Sequence, residues 1–193
     1  MQSKYKTKEE YRSMFKTFRK GEANEVHISI LKCVSIYIER NLEKLKSNEY
    51  IGIYWPLEGE VDLRPLKENL NIRLALPSVS SDGNISYHPW LDRPLSKDYY
   101  GIPAPIYEKN LEAKAISLLL IPSLSIDQRG VRLGYGGGFF DRLRSQSNWK
   151  EIMALAILPQ SCISKAPLPK DPWDIPLDGW INEYGEHLCN KKK

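Results

Sequence analysis

The sequence is poor in cysteine, in long apolar runs and in histidine clusters, and each shortage removes a class of protein. Its three cysteines, Cys33, Cys162 and Cys189, lie far apart with no C-x-x-C pair and no histidine at zinc spacing, so no zinc site is expected. Sparse thiols of this kind point to a reducing cytosol, hence a cytoplasmic location. The longest apolar run, AISLLLIPSL from Ala115, is about ten residues and contains a proline, and the N-terminus MQSKYKTKEEYRSMFK has no apolar core; neither a membrane span nor a signal peptide is expected. His27, His88 and His187 show no ligand or triad spacing and read as surface or packing residues. Without a Ser-His-Asp or Cys-His arrangement, a covalent nucleophile is not expected. RNP-like aromatic motifs, zinc-finger spacings and RGG tracts are also missing, so nucleic acid is not an expected partner.

What is present is uneven charge. The net charge is only +4, yet Lys4, Lys6, Lys8, Arg12, Lys16, Arg19 and Lys20 crowd the first twenty residues against Glu9 and Glu10. Such a patch attracts phosphates or is simply a solvated helix face. With 193 residues and 41% hydrophobic content, the chain can build one substantial core, so a single domain over 1–193 is expected. Helical apolar spacing covers 7–20 and 24–46, and EVDLRPLKENL from Glu60 suits a short helix. YIGIYWP from Tyr50, IRLALPSV from Ile72, ISYHPW from Ile85, AISLLLIPSL, IMALAILP from Ile152 and GWINEYG near the end read as strands. Continuous apolar strands alternating with helices predict an α/β sandwich with a largely parallel central sheet covered on both faces. The segment 92–110 has no periodicity and is a candidate mobile loop. Trp149, Trp173 and Trp180 are read as packing residues.

The densest motif is RGVRLGYGGGFFDR, residues 129–142, with glycines at 134, 136, 137 and 138. Phe139, Phe140 and Leu143 are spaced for one face of a helix, which puts the glycines at its N-terminus. Backbone N–H groups there lack partners and can cradle an anionic oxygen where no Cβ intervenes. A phosphate is the natural guest, with Arg129 and Arg132 adding charge-assisted bonds and Asp141 holding magnesium on the phosphates. A tight turn remains the alternative for the glycines, and a salt bridge to Arg142 or Arg144 the alternative for Asp141. The motif is neither a Walker A loop, lacking G-K-[ST], nor G-x-G-x-x-G, because Phe139 stands where the third glycine belongs.

RLGYGGGFFDR resembles the RLGxGxGYYDR signature of the 5-formyltetrahydrofolate cyclo-ligase family, also called methenyltetrahydrofolate synthetases. Further stretches agree in order: Lys8 and Arg12; Tyr54, Trp55 and Pro56 before Glu60, Val61 and Asp62; Leu76 and Pro77; GIPAP from Gly101; IPSLSID from Ile121; Gln160; and PWDIPLDGWINEYG from Pro172. The resemblance implies a three-layer fold of the ribose-5-phosphate isomerase/CoA transferase type. It also implies ATP-dependent closure of 5-formyltetrahydrofolate to 5,10-methenyltetrahydrofolate, with Mg2+ and a small-molecule substrate; a monomer is expected, although the sequence does not fix the oligomeric state.

By the same resemblance, Lys8 and Arg12 reach the ATP phosphates, as do Arg132 and the stretch Gly134, Tyr135, Gly136, Gly137, Gly138 and Phe139. Asp141 serves the metal, Trp55 and Glu60 bind the pterin, and Arg132 and Phe140 stand at the reacting centre, Phe140 also against the substrate. Asp62 is balanced between capping and function. Four positions depart from the pattern: Phe139 and Phe140 replace the tyrosine pair, Ala104 replaces the glutamate of G-I-x-E-P, and Asn182 replaces a threonine. The departures keep open a nucleotide-binding paralogue with little cyclo-ligase activity.

Overall fold

The computed structural model describes residues 6–43, 48–69 and 72–189. Helix α1, Lys8–Lys20, starts at a capping box in which Thr7 accepts from the Glu10 N–H and the Glu10 carboxylate accepts from the Thr7 N–H. Such a cap satisfies two orphan donors of the first turn. Helix α2, Asn24–Asn41, buries Ile30, Val34, Tyr37 and Ile38 at helical spacing. It ends before the predicted position 46, and residues 44–46 of that expectation lie outside the described residues. The helix expected from Glu60 is only α3, Leu66–Asn69, with Leu70 outside the described residues. It is short because Asp62 clips its own neighbour instead: the Arg64 N–H donates to Asp62 Oδ1 at 2.9 Å and the guanidinium grips the same carboxylate.

The strands are β1 (Tyr50–Gly52), β2 (Arg73–Val79), β3 (Ile85–Pro89), β4 (Ser96–Lys97), β5 (Pro103–Ala104), β6 (Ile116–Pro122), β7 (Ser125–Asp127), β8 (Arg132–Leu133), β9 (Met153–Ile157), β10 (Ile163–Ser164), β11 (Gly179–Asn182) and β12 (Gly185–Leu188). Seven form the main sheet in the order β12-β11-β9-β6-β1-β2-β3. Its five inner strands are parallel and only the edges, β3 and β12, run antiparallel. Helices α4, Phe139–Ser145, and α5, Ser147–Lys150, complete the list.

The continuous apolar reading of β6 has the predicted cause. Leu118 and Leu120 pack with α2 in one core, while Leu119 and Ile121 pack with Tyr11 and Phe15 of α1, Leu143 of α4 and Trp149 of α5 in the other. Three layers result, and alternate residues of one strand feed opposite cores.

Two expectations are corrected. The segment 92–110 contains the β4–β5 hairpin, held by Asp98, whose carboxylate accepts from Tyr100 N and Ile102 N at 2.9 Å and from Val79 N at 3.0 Å. A structure organised around one side chain has no periodicity to detect. The strand expected over 50–56 is regular only to Gly52, after which the chain carries Tyr54 and Trp55 away from the sheet toward a cleft. All three cysteines are free thiols, and no described helix is long and apolar enough to cross a membrane.

Candidate functional site

A cleft of about 300 Å³ opens where the chain leaves the C-terminal ends of β1, β2 and β6, represented by Tyr54, Trp55, Pro77, Val79 and Pro122. Ligand crevices of open α/β sheets form at this end of the strands. Most of the residues named for the site line it: Lys8, Arg12, Trp55, Glu60, Arg132, the run from Gly134 to Phe140, and Asp141.

Lys8 and Arg12 lie one turn apart on α1 and face the same way. Lys8 Nζ is held by Asp171 Oδ2 at 2.6 Å and Asp174 Oδ2 at 2.7 Å. Burial alone would lower its pKa, but the two carboxylates carry it above the ordinary lysine value. Arg12 Nε donates to the Gly134 carbonyl at 3.0 Å, which ties α1 to the glycine loop. Arg132 and Asp141 meet at 2.9 Å, with side chains 6% and 25% exposed. Neither alternative partner of Asp141 is used: Arg142 donates to the Gly137 and Gly83 carbonyls, and Arg144 is buried against the Trp149, Ile152 and Lys150 carbonyls.

The glycines make a turn and clear space for neighbouring side chains. Gly136 (φ 111°) and Gly138 (φ 65°) occupy left-handed backbone, which side chains disfavour. At Gly134 a Cβ would come within 2.8 Å of Arg132 Nη1, and at Gly137 within 2.4 Å of the Phe139 ring. Two glycines therefore make the turn, and two make room for side chains that line the cleft. Gly138 caps α4, so the predicted helix start is present.

Glu60, which also lines the cleft, is 6% exposed. Its Oε2 accepts the Leu57 N–H at 2.9 Å, while Oε1 is buried with no partner. Burial raises its pKa, and the Leu57 N–H, the Arg19 charge and Tyr135 pull it part of the way back. Trp55 forms the adjoining wall, with the Arg64 guanidinium 4.5 Å from its ring. Phe140 lies under Arg132, 5.5 Å from the ring centre, and Phe139 packs edge-on against Tyr100 at 5.2 Å.

Three expectations change. Arg129 is not in the cleft: it pairs with Asp127 at 2.7 Å and donates to the Leu168 carbonyl. Asp62 is used by Arg64 and does not line the cleft. Trp149 and Trp180 are packed, but Trp173 is 61% exposed and lines the cleft between Asp171 and Asp174. Ala104 is fully buried in β5 and is not among the lining residues. Sequence reasoning also missed Asp98, Tyr100, Asp171 and Asp174 as wall residues, although the last two stand in the quoted DPWD stretch.

Residues 5–183 match the model of the 5-formyltetrahydrofolate cyclo-ligase family. The chain is 30% identical over 136 residues to the 5-formyltetrahydrofolate cyclo-ligase of Escherichia coli K12, covering 66% of this chain and 74% of that one. It is 27% identical over 146 residues to the Haemophilus influenzae protein of the same name, covering 71% and 77%. Among solved structures, the Aquifex aeolicus 5,10-methenyltetrahydrofolate synthetase superposes with a TM-score of 0.76 at 26% identity, over 96% of this chain and 94% of that one. The Mycoplasma pneumoniae synthetase shares the fold, with a TM-score of 0.70 at 22% identity over 92% and 99%.

Proposed function

The chain belongs to the 5-formyltetrahydrofolate cyclo-ligase family, and we propose that its cleft binds ATP against Lys8, Arg12, Arg132 and the glycine loop, with the folate head at Glu60 and Trp55. The activity is ATP-dependent cyclisation of 5-formyltetrahydrofolate to 5,10-methenyltetrahydrofolate, releasing ADP and phosphate. The observation that carries this assignment is convergence: cations from α1 and β8 line one cleft together with Glu60 and Asp141, although the segments are far apart in the chain.

The chemistry asks for positioning and charge rather than a covalent nucleophile. The formyl oxygen attacks the γ-phosphorus, the β–γ bridging bond breaks and ADP departs. N10 of the folate then attacks the activated formyl carbon, the carbon–oxygen bond breaks, the phosphate leaves with that oxygen, and the N10 proton is lost to solvent. Arg132, nearly enclosed and fixed by Asp141, would sit on the transferring phosphoryl group, where charge builds up in the transition state. Arg12, tethered to the loop carbonyl, and Lys8, kept charged by two carboxylates, would orient the remaining phosphates. Glu60 offers two carboxylate oxygens to the paired N–H donors of the pterin.

Asp141 lines the cleft beside Arg132 and the glycine loop, while Asp171 and Asp174 are taken up by Lys8, and among the described residues no group of three or more His, Cys, Asp or Glu can hold a metal. That donor set suits Mg2+, which takes one or two carboxylates and completes its shell with phosphate oxygens and water. Asp141 would hold the ion against ATP, where it would neutralise phosphate charge.

The decisive assay mixes purified protein with 5-formyltetrahydrofolate, Mg2+ and ATP and follows the methenyl amidinium absorbance, with an ATP-free control. ATP-dependent growth of the band is expected, and a flat trace from folded protein refutes the reaction.

A further inference from the structure

Arg19 is a buried charge that the reaction leaves unused. It stands seven residues beyond Arg12 and eleven beyond Lys8, on the same face of α1, but it lies beneath the cleft and is 4% exposed. Its Nη1 donates to the Tyr135 hydroxyl, while Nε and Nη2 are buried with no acceptor. Its stem lies under the turn that carries Glu60: a Cβ at Gly59 would sit 3.3 Å from Arg19 Cγ. Glu60 Oε1 is likewise buried and unpartnered. A buried cation and a buried anion, each incompletely bonded, thus face the same phenol of the glycine loop.

We propose that Arg19 and Tyr135 are the positioning pair that keeps Glu60 ionised in the cleft, so that both its oxygens accept from a two-donor edge of the substrate. The inference rests on the cyclo-ligase reading for the identity of that substrate. Its physical basis is that a carboxylate removed from water takes up a proton unless a cation compensates, and a protonated carboxyl loses part of its acceptor capacity. Arg19 supplies that cation at fixed charge. Because the Tyr135 oxygen accepts from Arg19, its own proton is free to point toward the carboxylate.

The other groups facing the cluster do not replace Arg19. Tyr54 donates to the Val61 carbonyl, and burial and the charge of Glu60 hold its pKa well above the ordinary value. Burial raises Cys162 and lowers His27, so both stay uncharged at neutral pH. Glu22, which acts on those two, is engaged by Ser161. The glycine loop therefore carries a connection from the phosphate side of the cleft to the carboxylate that reads the other substrate.

The test is a pH titration of the protein labelled with 13C at glutamate carboxyls, with the Glu60 signal assigned through Glu60→Gln. In Arg19→Met and in Tyr135→Phe the Glu60 midpoint moves to higher pH, and Arg19→Lys holds it close to the parent. At neutral pH, Arg19→Met raises KM for 5-formyltetrahydrofolate about tenfold, the loss of one charge-assisted bond, and leaves KM for ATP unchanged. A Glu60 midpoint identical in parent, Arg19→Met and Tyr135→Phe overturns the proposal whatever the substrate. Should Arg19→Met not fold, Tyr135→Phe and Arg19→Lys decide alone, because a hydroxyl deletion that leaves the midpoint in place breaks the relay. A midpoint that moves in the variants while the parent cyclises no folate upholds the charge assignment and removes the cyclo-ligase reading.

Discussion

Asp141→Asn separates two roles that share one side chain. The carboxylate pairs with Arg132 at 2.9 Å, and the Arg132 side chain is 6% exposed, so loss of the anion leaves an enclosed guanidinium bonded to a neutral amide oxygen. A hydrogen bond involving a charged group is worth about 1.5–3 kcal/mol, and asparagine retains part of it, so the stability loss is set at ~1–2 kcal/mol. For a chain of this size that lowers Tm by roughly 2–8 °C. Turnover should fall further, by about 10²-fold or more, the scale of losing one group that acts on transition-state charge, and the Mg2+ concentration for half-maximal rate should rise. The assay pairs calorimetry with methenyl formation over a Mg2+ series. Arg132→Met with Asp141→Asn then removes both charges, which should restore stability without restoring rate. If the single variant loses Tm but keeps its kcat and its Mg2+ dependence, Asp141 serves only Arg132 and the metal assignment fails.

Glu60→Gln should stabilise the protein while harming it as an enzyme. The folded pKa of Glu60 lies above the ordinary 4.5, so the folded state binds more protons than the unfolded chain between those values and stability falls as pH rises through that window. The variant lacks this decline: its Tm should match the parent at acid pH and exceed it at neutral pH, and equal Tm at both would refute the burial effect. Gly136→Ala should raise KM for ATP about tenfold at a strain cost of about 1–3 kcal/mol from φ 111°, without a clash, because the nearest atoms, on Arg12, are 3.7 Å away. Gly179→Ala should lower stability further and leave KM for ATP alone, since its Cβ would lie 2.0 Å from the His187 carbonyl; steady-state kinetics and thermal melts distinguish the two. Ala104→Glu should lower stability by about 2–4 kcal/mol without raising turnover, because it places a carboxyl at a fully buried position; a faster enzyme of parental Tm would contradict this.

Much of the architecture was legible because both sheet faces are covered, so Leu118, Leu119, Leu120 and Ile121 announce an inner strand without help from alternation. Edge pieces were not: β4, β5, β8 and β10 span two residues each, too few to show a period. The cleft was legible where its residues share a motif, as in RLGYGGGFFD, or a helix face, as with Lys8 and Arg12. It was not legible where a pair is made across the fold. Asp171 meets Lys8 over 163 positions, a distance at which sequence carries no contact signal. Arg129 could have been placed correctly, since Asp127 precedes it by two residues as Asp62 precedes Arg64, and both pairs form the same clip from N–H and guanidinium to one carboxylate. Arg19 had a signal too, in its position on the Lys8–Arg12 face, but a run of seven basic residues hides which one is buried.

The clasp of Lys8 by Asp171 and Asp174 has a consequence for the order of events on the ribosome. One wall of the cleft belongs to α1 and its counter-charges to a loop made 163 residues later. At roughly 5–20 residues per second, the N-terminal helix waits on the order of 10–30 s before its lysine meets a partner. A nascent chain arrested before Asp171 can form most of the sheet but cannot close the clasp, so this wall of the cleft is completed only after the core that supports it.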